Sequence, residues 1–548
     1  MAKTIRSRGL IWVSRIFVLI LFFIPAAFSM LGAFLGSPSS SGTGALADLF
    51  SNYTMGAAVL TLKVGWVSTA LAILLTGMAL GWFRLAKSRS QHSWWTTGAL
   101  GTLISIPHLS LATGLLLLVG DSGWLVRVLG SLFPGREYAF QLDHDVGAWT
   151  LSLFLGMKES LFLIYVGLPL VDSVGASRKI VNSLGRSNWT SWWWVEWPQV
   201  LHGLRYAIWA VLGYSICVVD VAVVLGPTNP PVFALVLWDW IKDPGESTQA
   251  LVSGGALMLL ALVALGVFGW EGALWSLGRF KSWLLSKGKI GKRPLPLSPM
   301  LLFILFTLIL SVVALVLWVF GDSWTIDQPI PPAWTLEFAR EGVSSMRGTL
   351  IQTLGLAVSS ALASIATVLL WIEFDSRAHT KIATTAVFLM LVFPALIAVI
   401  GLDSMLSRVG IYHPSIAVFL GHMLFVFPYV FLVLQQAFHQ VDPRLALVAA
   451  SLGKSKTVFL LKIRVPLLKG SIAAAFAVGF AVSVSQFLPT IMLGGGDWTT
   501  LATETVASLS SGNRRWVAVY GLANAMLPAA VFLFCSLFSQ RPEGSTCR

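Results

Sequence analysis

The sequence predicts an all-α polytopic membrane protein, with about twelve transmembrane helices arranged as two parallel six-helix repeats and both termini on the cytoplasmic side. Three observations carry this. Hydrophobic residues make up 56% of the 548 positions and charged ones only 11%, and the mean hydropathy is +0.79, so there are more apolar side chains than a water-facing surface can hide. Apolar runs of about 20 residues, the length of a bilayer-crossing helix, recur along the chain. The chain also repeats itself at long range, which is the signature of a duplicated architecture.

In order, the runs lie near 10–35, 64–83, 96–119, 147–171, 206–226 and 251–277, then near 298–320, 350–372, 382–402, 412–437, 470–493 and 516–538. The first, preceded by basic residues, has the look of a signal peptide but is long for a signal core, and the six-span symmetry requires it as a span. Alternate connections differ in charge: the segments on the side of the N-terminus hold 27 Lys and Arg, those on the other side nine. Basic residues stay cytoplasmic, so the count fixes the orientation and supports an even number of spans in each half. The net charge of +13 is therefore a matter of topology and gives no reason to expect a nucleic-acid partner; the lipid bilayer is the expected surrounding.

The duplication is visible span by span. Thr61-Leu62 and Val67-Ser68-Thr69-Ala70-Leu71-Ala72 match Thr353-Leu354 and Val358-Ser359-Ser360-Ala361-Leu362-Ala363. Pro107, Leu109, Gly114 and Leu115 match Pro394, Leu396, Gly401 and Leu402, and Phe154-Leu155-Gly156 matches Phe419-Leu420-Gly421. With an even number of spans per half, the copies face the same way. The expected division is a first repeat over 1–277, a basic cytoplasmic linker over 278–297 containing Pro294 and Pro296, and a second repeat over 298–548. Cys217, Cys535 and Cys547 are too few and too scattered for a disulfide framework or a metal site, and nothing calls for a cofactor.

The duplicated feature with functional content is a cytoplasmic loop. Ser183-Leu184-Gly185-Arg186 is followed by Pro198, and Ser451-Leu452-Gly453-Lys454 by Pro466; Gly to Pro is 13 positions in both, and the copies are 268 residues apart. A Gly between short helical stretches permits a sharp reversal because it accepts φ > 0, and such punctuation can be a plain turn. Two copies, each followed by a mixture of large apolar and polar residues, fit a pair of matching docking surfaces better. Gly453-Lys454-Ser455 imitates the end of a phosphate-binding loop, but that motif needs a Gly where Val448 stands. No catalytic constellation is visible, so no bond chemistry is expected of the chain.

These loops resemble the cytoplasmic EAA loop of permease subunits of bacterial binding-protein-dependent ABC importers: roughly Glu-Ala-Ala, then Gly, then a Pro. Ala449-Ala450-Ser451-Leu452-Gly453 with Pro466 is the closer match, with Val448 in place of the acid; the first copy lacks both the acid and the alanines. The two-repeat chain is similar to fused double permeases of the ferric-iron and thiamine type. The resemblance implies an inner-membrane permease that docks each loop helix on a cytoplasmic ATPase subunit, two in all, and receives solute from an external binding protein. The rival reading is an ion-coupled secondary transporter, in which charged groups within spans do the coupling. Lys158 and Glu159 in the fourth span, Asp220 in the fifth and Gln486 at the corresponding place in the second half are candidates for a polar translocation path; a buried Lys158–acid pair that fixes packing is the alternative.

Overall fold

The computed structural model describes residues 12–13, 15–32, 49–85, 95–133, 144–174, 188–243, 245–286, 298–375, 381–411 and 413–538. Nearly all of them are helical. In the first half these are α1 (Arg15–Leu31), α2 (Asn52–Leu85), α3 (Trp95–Ser105), α4 (His108–Val119), α5 (Trp124–Leu132), α6 (His144–Ser173), α7 (Trp189–Gly203), α8 (Arg205–Cys217), α9 (Asp220–Leu225), α10 (Phe233–Lys242) and α11 (Glu246–Ser286). The second half contains α12 (Ser298–Phe320), α13 (Glu337–Ser345), α14 (Arg347–Phe374), α15 (Lys381–Val392), α16 (Ala395–Val409), α17 (Pro414–His439), α18 (Arg444–Ser451), α19 (Lys456–Leu467), α20 (Lys469–Val484), α21 (Leu488–Leu493), α22 (Leu501–Leu509) and α23 (Arg514–Phe538). Eight described helices are long and apolar enough to span a bilayer, or eleven counting three bent pairs as one span each, and α1 is a shorter apolar helix where the first span was expected. The linker expected from Gly278 begins as helix, because α11 runs on to Ser286.

The irregular places are shared between the halves. The third span is interrupted at Pro107 in one half and at Pro394 in the other, where α15 and α16 meet at 104°. Proline has no N–H to give to the preceding turn and its ring clashes there, so a helix breaks. The fifth span also breaks in both halves, between Cys217 and Asp220 and between Val484 and Leu488. The second short helix after that break, α10 in one half and α22 in the other, has its N-terminus tied back to the second span. Thr61 Oγ1 accepts from the Phe233 N–H at 2.7 Å, and Thr353 Oγ1 accepts from the Leu501 N–H at 3.0 Å. The duplicated Thr of the sequence is thus one hydrogen bond, made twice, that satisfies a donor no helical carbonyl can reach.

The described chain forms two compact units. One contains residues 1–36, 105–110 and 337–548, the other 37–104 and 111–336. In the first unit α14 lies along α17 and both pack on α20; in the second, α2 lies along α6 and packs on α8. Glycine allows the close approach of α6 to α2, since a Cβ on Gly156 would lie 2.7 Å from Leu71 Cδ2. Sequence repeats and compact units are different divisions, because the opening helix of each half lies in the unit built mainly from the other half. α1 packs on α16, stacks Phe22 on Phe427 at 4.3 Å, and pairs Arg15 with Asp375 at 2.9 Å. α12 packs so closely on α4 that a Cβ on Gly114 would lie 2.4 Å from the Ser311 carbonyl oxygen.

A short antiparallel pair, β1 (Gly321–Asp322) with β2 (Ala333–Trp334), closes the connection after α12. Arg127 on α5 holds it: the guanidinium lies 5.0 Å from the ring centre of Trp318 and 4.6 Å from that of Trp324, and donates to the Trp324 carbonyl at 3.2 Å. Stacking on two indoles suits a planar, weakly hydrated cation.

Candidate functional site

The second duplicated loop is described throughout. α18 ends at Ser451, and Gly453 has φ +72°. The Gly453 N–H donates to the Ala450 carbonyl and the Lys454 N–H to the Ala449 carbonyl, both at 3.0 Å. This is a Schellman turn, which satisfies the last carbonyls of a helix and needs a left-handed residue at its apex. Ser455 then caps the next helix, its Oγ accepting from the Val458 N–H at 3.3 Å. α19 starts with one α-turn, Lys456–Phe459, widens into a π-turn, Leu460–Arg464, and meets α20 at 79°. Pro466 comes two residues after the end of the π-turn, near the C-terminal end of α19. The spacing of 13 from Gly to Pro is therefore the length of a cap, an α-turn, a π-turn and one further residue, Val465.

In the first loop the residues Ser183, Leu184, Gly185 and Arg186 lie outside the described residues, whereas the backbone from Asn188 onward is described. α7 carries a π-turn at Trp192–Glu196, offset by 268 from Leu460–Arg464, and Pro198 stands after it as Pro466 does in the second loop. The two loop helices are anchored differently. Trp192 is fully buried in a notch on α2, where its Nε1–H donates to the Gly77 carbonyl at 2.9 Å and the indole lies over Gly81. Leu460 takes the equivalent place in the second loop and is also buried.

The outer surface of the second loop is apolar. Leu447 is 71% exposed, Leu452 70% and Leu461 62%, with Val448 and Leu467 also exposed, while Ala449, Phe459 and Leu460 face inward. Lys454, Lys456 and Lys462 are exposed around these residues. Ala450, Ser451, Gly453 and Pro466 lie on the same exposed surface.

The structure separates the charged candidates. Lys158 is buried, and its Nζ donates to the carbonyls of Leu103 at 2.8 Å and Ile104 at 3.1 Å. Those are the last carbonyls of α3 before the break at Pro107, so the ammonium caps a helix C-terminus, where positive charge is favoured. Glu159, next to it on α6, is buried as well. Asp220 is the first residue of α9 and Gln486 stands between α20 and α21, so both sit at the break of the fifth span. Replacing Lys158 with Met should destabilise the chain by the ~1–3 kcal/mol that buried carbonyls without donors cost, read as a lower melting temperature in detergent. Arg at 158 should recover part of that loss. Unchanged melting of the Met variant would show the cap to be dispensable.

Sequence reasoning missed His422. His422 is fully buried, with Nδ1 2.8 Å from Ser483 Oγ and Nε2 3.0 Å from Thr490 Oγ1. Ser360 Oγ donates to Ser483 Oγ at 3.1 Å, and Thr490 Oγ1 donates to the Gln486 carbonyl. This chain of bonds crosses the break between α20 and α21 and satisfies backbone that a regular helix would have satisfied by itself. The signal was a His inside an apolar run. A cavity of about 640 Å³, lined by Met55, Val59, Lys63, Asn229 and Pro230 among others, opens beside α2.

No protein-family model matches the chain, and no solved structure matches it. The chain is 29% identical over 446 residues, 80% of either sequence, to the inner membrane ABC transporter permease protein YnjC of Escherichia coli strain K12. Together with the bilayer-length helices, that similarity makes the chain a multi-pass protein of the inner membrane and supports placing it with the ABC transporter permeases.

Proposed function

We propose that this chain is the permease component of an ATP-driven importer, which takes solute from an external binding protein and is moved by two separate cytoplasmic ATPase subunits. ATP hydrolysis belongs to those subunits, and the chain supplies the path and the coupling loops. The observation that carries the reading is the second loop: a Schellman turn at Gly453 aims a short helix whose apolar side chains, Leu461 and Leu467, are turned outward, with Leu452 exposed in the turn itself. Exposed apolar residues ringed by lysines mark a surface that a partner covers. The matching π-turn before Pro198 supports a second docking point of the same build. Ser183, Leu184, Gly185, Arg186 and Pro198 then do for one ATPase what Ala449 to Lys454 and Pro466 do for the other.

Asp220 and Gln486 are proposed for the path, since broken helices at membrane depth occur where backbone is buried in protein or lines a water-filled cavity. Lys158 is spent on a helix end, which leaves the ion-coupled reading with one fewer charge to couple. The test is purification of the chain from the membranes of its own cells, with substrate-stimulated hydrolysis then measured in vesicles. Co-purification of an ATPase with stimulated hydrolysis is the expected result; uptake driven by a proton or sodium gradient without any ATPase would overturn it.

A further inference from the structure

Behind each loop helix lies a largely buried ion pair whose arginine keeps some exposure, and the two pairs have opposite polarity. In the first half Arg84, next to the last residue of α2, places Nε 3.2 Å from Glu196 Oε2. Glu196 closes the π-turn of α7, is 1% exposed, and also accepts from Ser191 Oγ at 2.8 Å. In the second half the acid is on the span: Glu373, next to the last residue of α14, pairs with Arg464, which closes the π-turn of α19. Arg464 also lies 5.0 Å from the ring centre of Phe438 and 4.9 Å from that of Phe459. Glu196 and Arg464 are 268 positions apart, the offset of the loops themselves, and α2 and α14 are the second spans matched through Thr61 and Thr353.

Burying opposite charges is a poor way to gain stability, because desolvation consumes most of what the attraction returns, and an apolar pair of the same size does as well. The rest of this contact has diverged, with Trp192 in one half and Leu460 in the other. Yet both halves hold a pair between the cytoplasmic end of the second span and the last residue of the π-turn, with the charges exchanged. No outside partner can be reading the sign of either charge, since the signs differ. What the halves share is a tie between the cytoplasmic end of the second span and the last residue of the π-turn, two positions before the proline.

We propose that Arg84–Glu196 and Arg464–Glu373 are positioning pairs that pass a displacement of each cytoplasmic loop to the second span of its half. The proposal rests on the permease reading above. Pairing by charge resists sliding of one helix end along the other, as apolar packing does not, so a push on the loop helix reaches α2 or α14 with little slack.

The experiment uses the full chain with its ATPase in reconstituted vesicles and measures solute uptake, stimulated hydrolysis and the amount of ATPase bound. Arg84→Glu, which sets two carboxylates together, should lower uptake per ATP hydrolysed about tenfold while the ATPase still co-purifies. Arg84→Glu with Glu196→Arg, which writes the polarity of the second half into the first, should restore uptake; Glu373→Arg with Arg464→Glu should do the same in the other half. If the single variants do not accumulate, Arg84→Gln with Glu196→Gln removes both charges without leaving one unpaired, and should assemble but lose coupling. Normal uptake per ATP in that neutral variant, or failure of the exchanged pair to recover what the single variant lost, overturns the proposal. A wild-type chain that recruits no ATPase overturns the permease reading itself, and is told apart by that control.

Discussion

Replacing Gly453 with Val should uncouple the chain from its ATPase without unfolding it. At φ +72° a side chain clashes with its own backbone, at a cost of roughly 1–2 kcal/mol for an ordinary L-residue and more for a β-branched one. The strain is purely local, for a Cβ built on Gly453 meets no other atom within 4 Å. The chain can escape it only by giving up the left-handed turn. The Schellman bonds from Gly453 and Lys454 then break, and α19 leaves α18 in another direction. Stimulated hydrolysis and ATPase co-purification should both fall, while the amount of chain in the membrane stays near wild type. Asn, which tolerates the left-handed region, should be much milder at the same position. Equal behaviour of the Val and Asn variants would remove the backbone argument and with it the reason for a Gly in this loop.

The largest loss of stability is expected from Trp192→Ala. The indole fills the notch over Gly77 and Gly81 and makes a hydrogen bond to the Gly77 carbonyl. Truncating a buried aromatic side chain costs about 3–5 kcal/mol, because the surroundings collapse only partly. Gly81→Leu should also destabilise, for the opposite reason: a Cβ there would already lie 2.5 Å from Trp192 Nε1. The two variants combined should lose less than the sum, since the added Leu enters the space the indole vacated and residues in contact are not additive. Thermal melting of the detergent-purified chain reads all three. Strict additivity would mean that Trp192 and Gly81 do not meet.

Local chemistry explains which parts of this are legible in the sequence. Apolar runs and alternate basic loops give the spans, and the Gly–Pro spacing gives the loops, because cap, turn and proline are decided within a few residues. The third-span breaks are written as Pro107 and Pro394. The break in the fifth span carries no such mark in the first half, where Val218 and Val219 are ordinary strand or helix formers, and only Pro489 hints at it in the second. The helix exchanges are invisible, because an apolar surface does not say which apolar neighbour it meets. So are the ion pairs, whose partners are 112 and 91 residues apart. Lys158 stands out in the sequence as an unusual charge within a span, but the partner the sequence offers it is an acid. The structure also gives it the end of α3, and a helix terminus is a partner that composition cannot display.

The exchange of opening helices bears on how the chain is made. α1 is synthesised before the other described helices, yet its ion pair joins residues 360 positions apart and its stacking partner is Phe427. It is synthesised long before the surface it belongs to exists. In water an unpartnered helix of this kind would be an aggregation hazard throughout that interval. In a bilayer the lipid tails are as apolar as the missing neighbours, and the backbone hydrogen bonds are already closed within the helix. Waiting therefore costs little, and a fold whose early helix joins a bundle completed only late in translation is one that membrane insertion permits and that an aqueous nascent chain could hardly sustain.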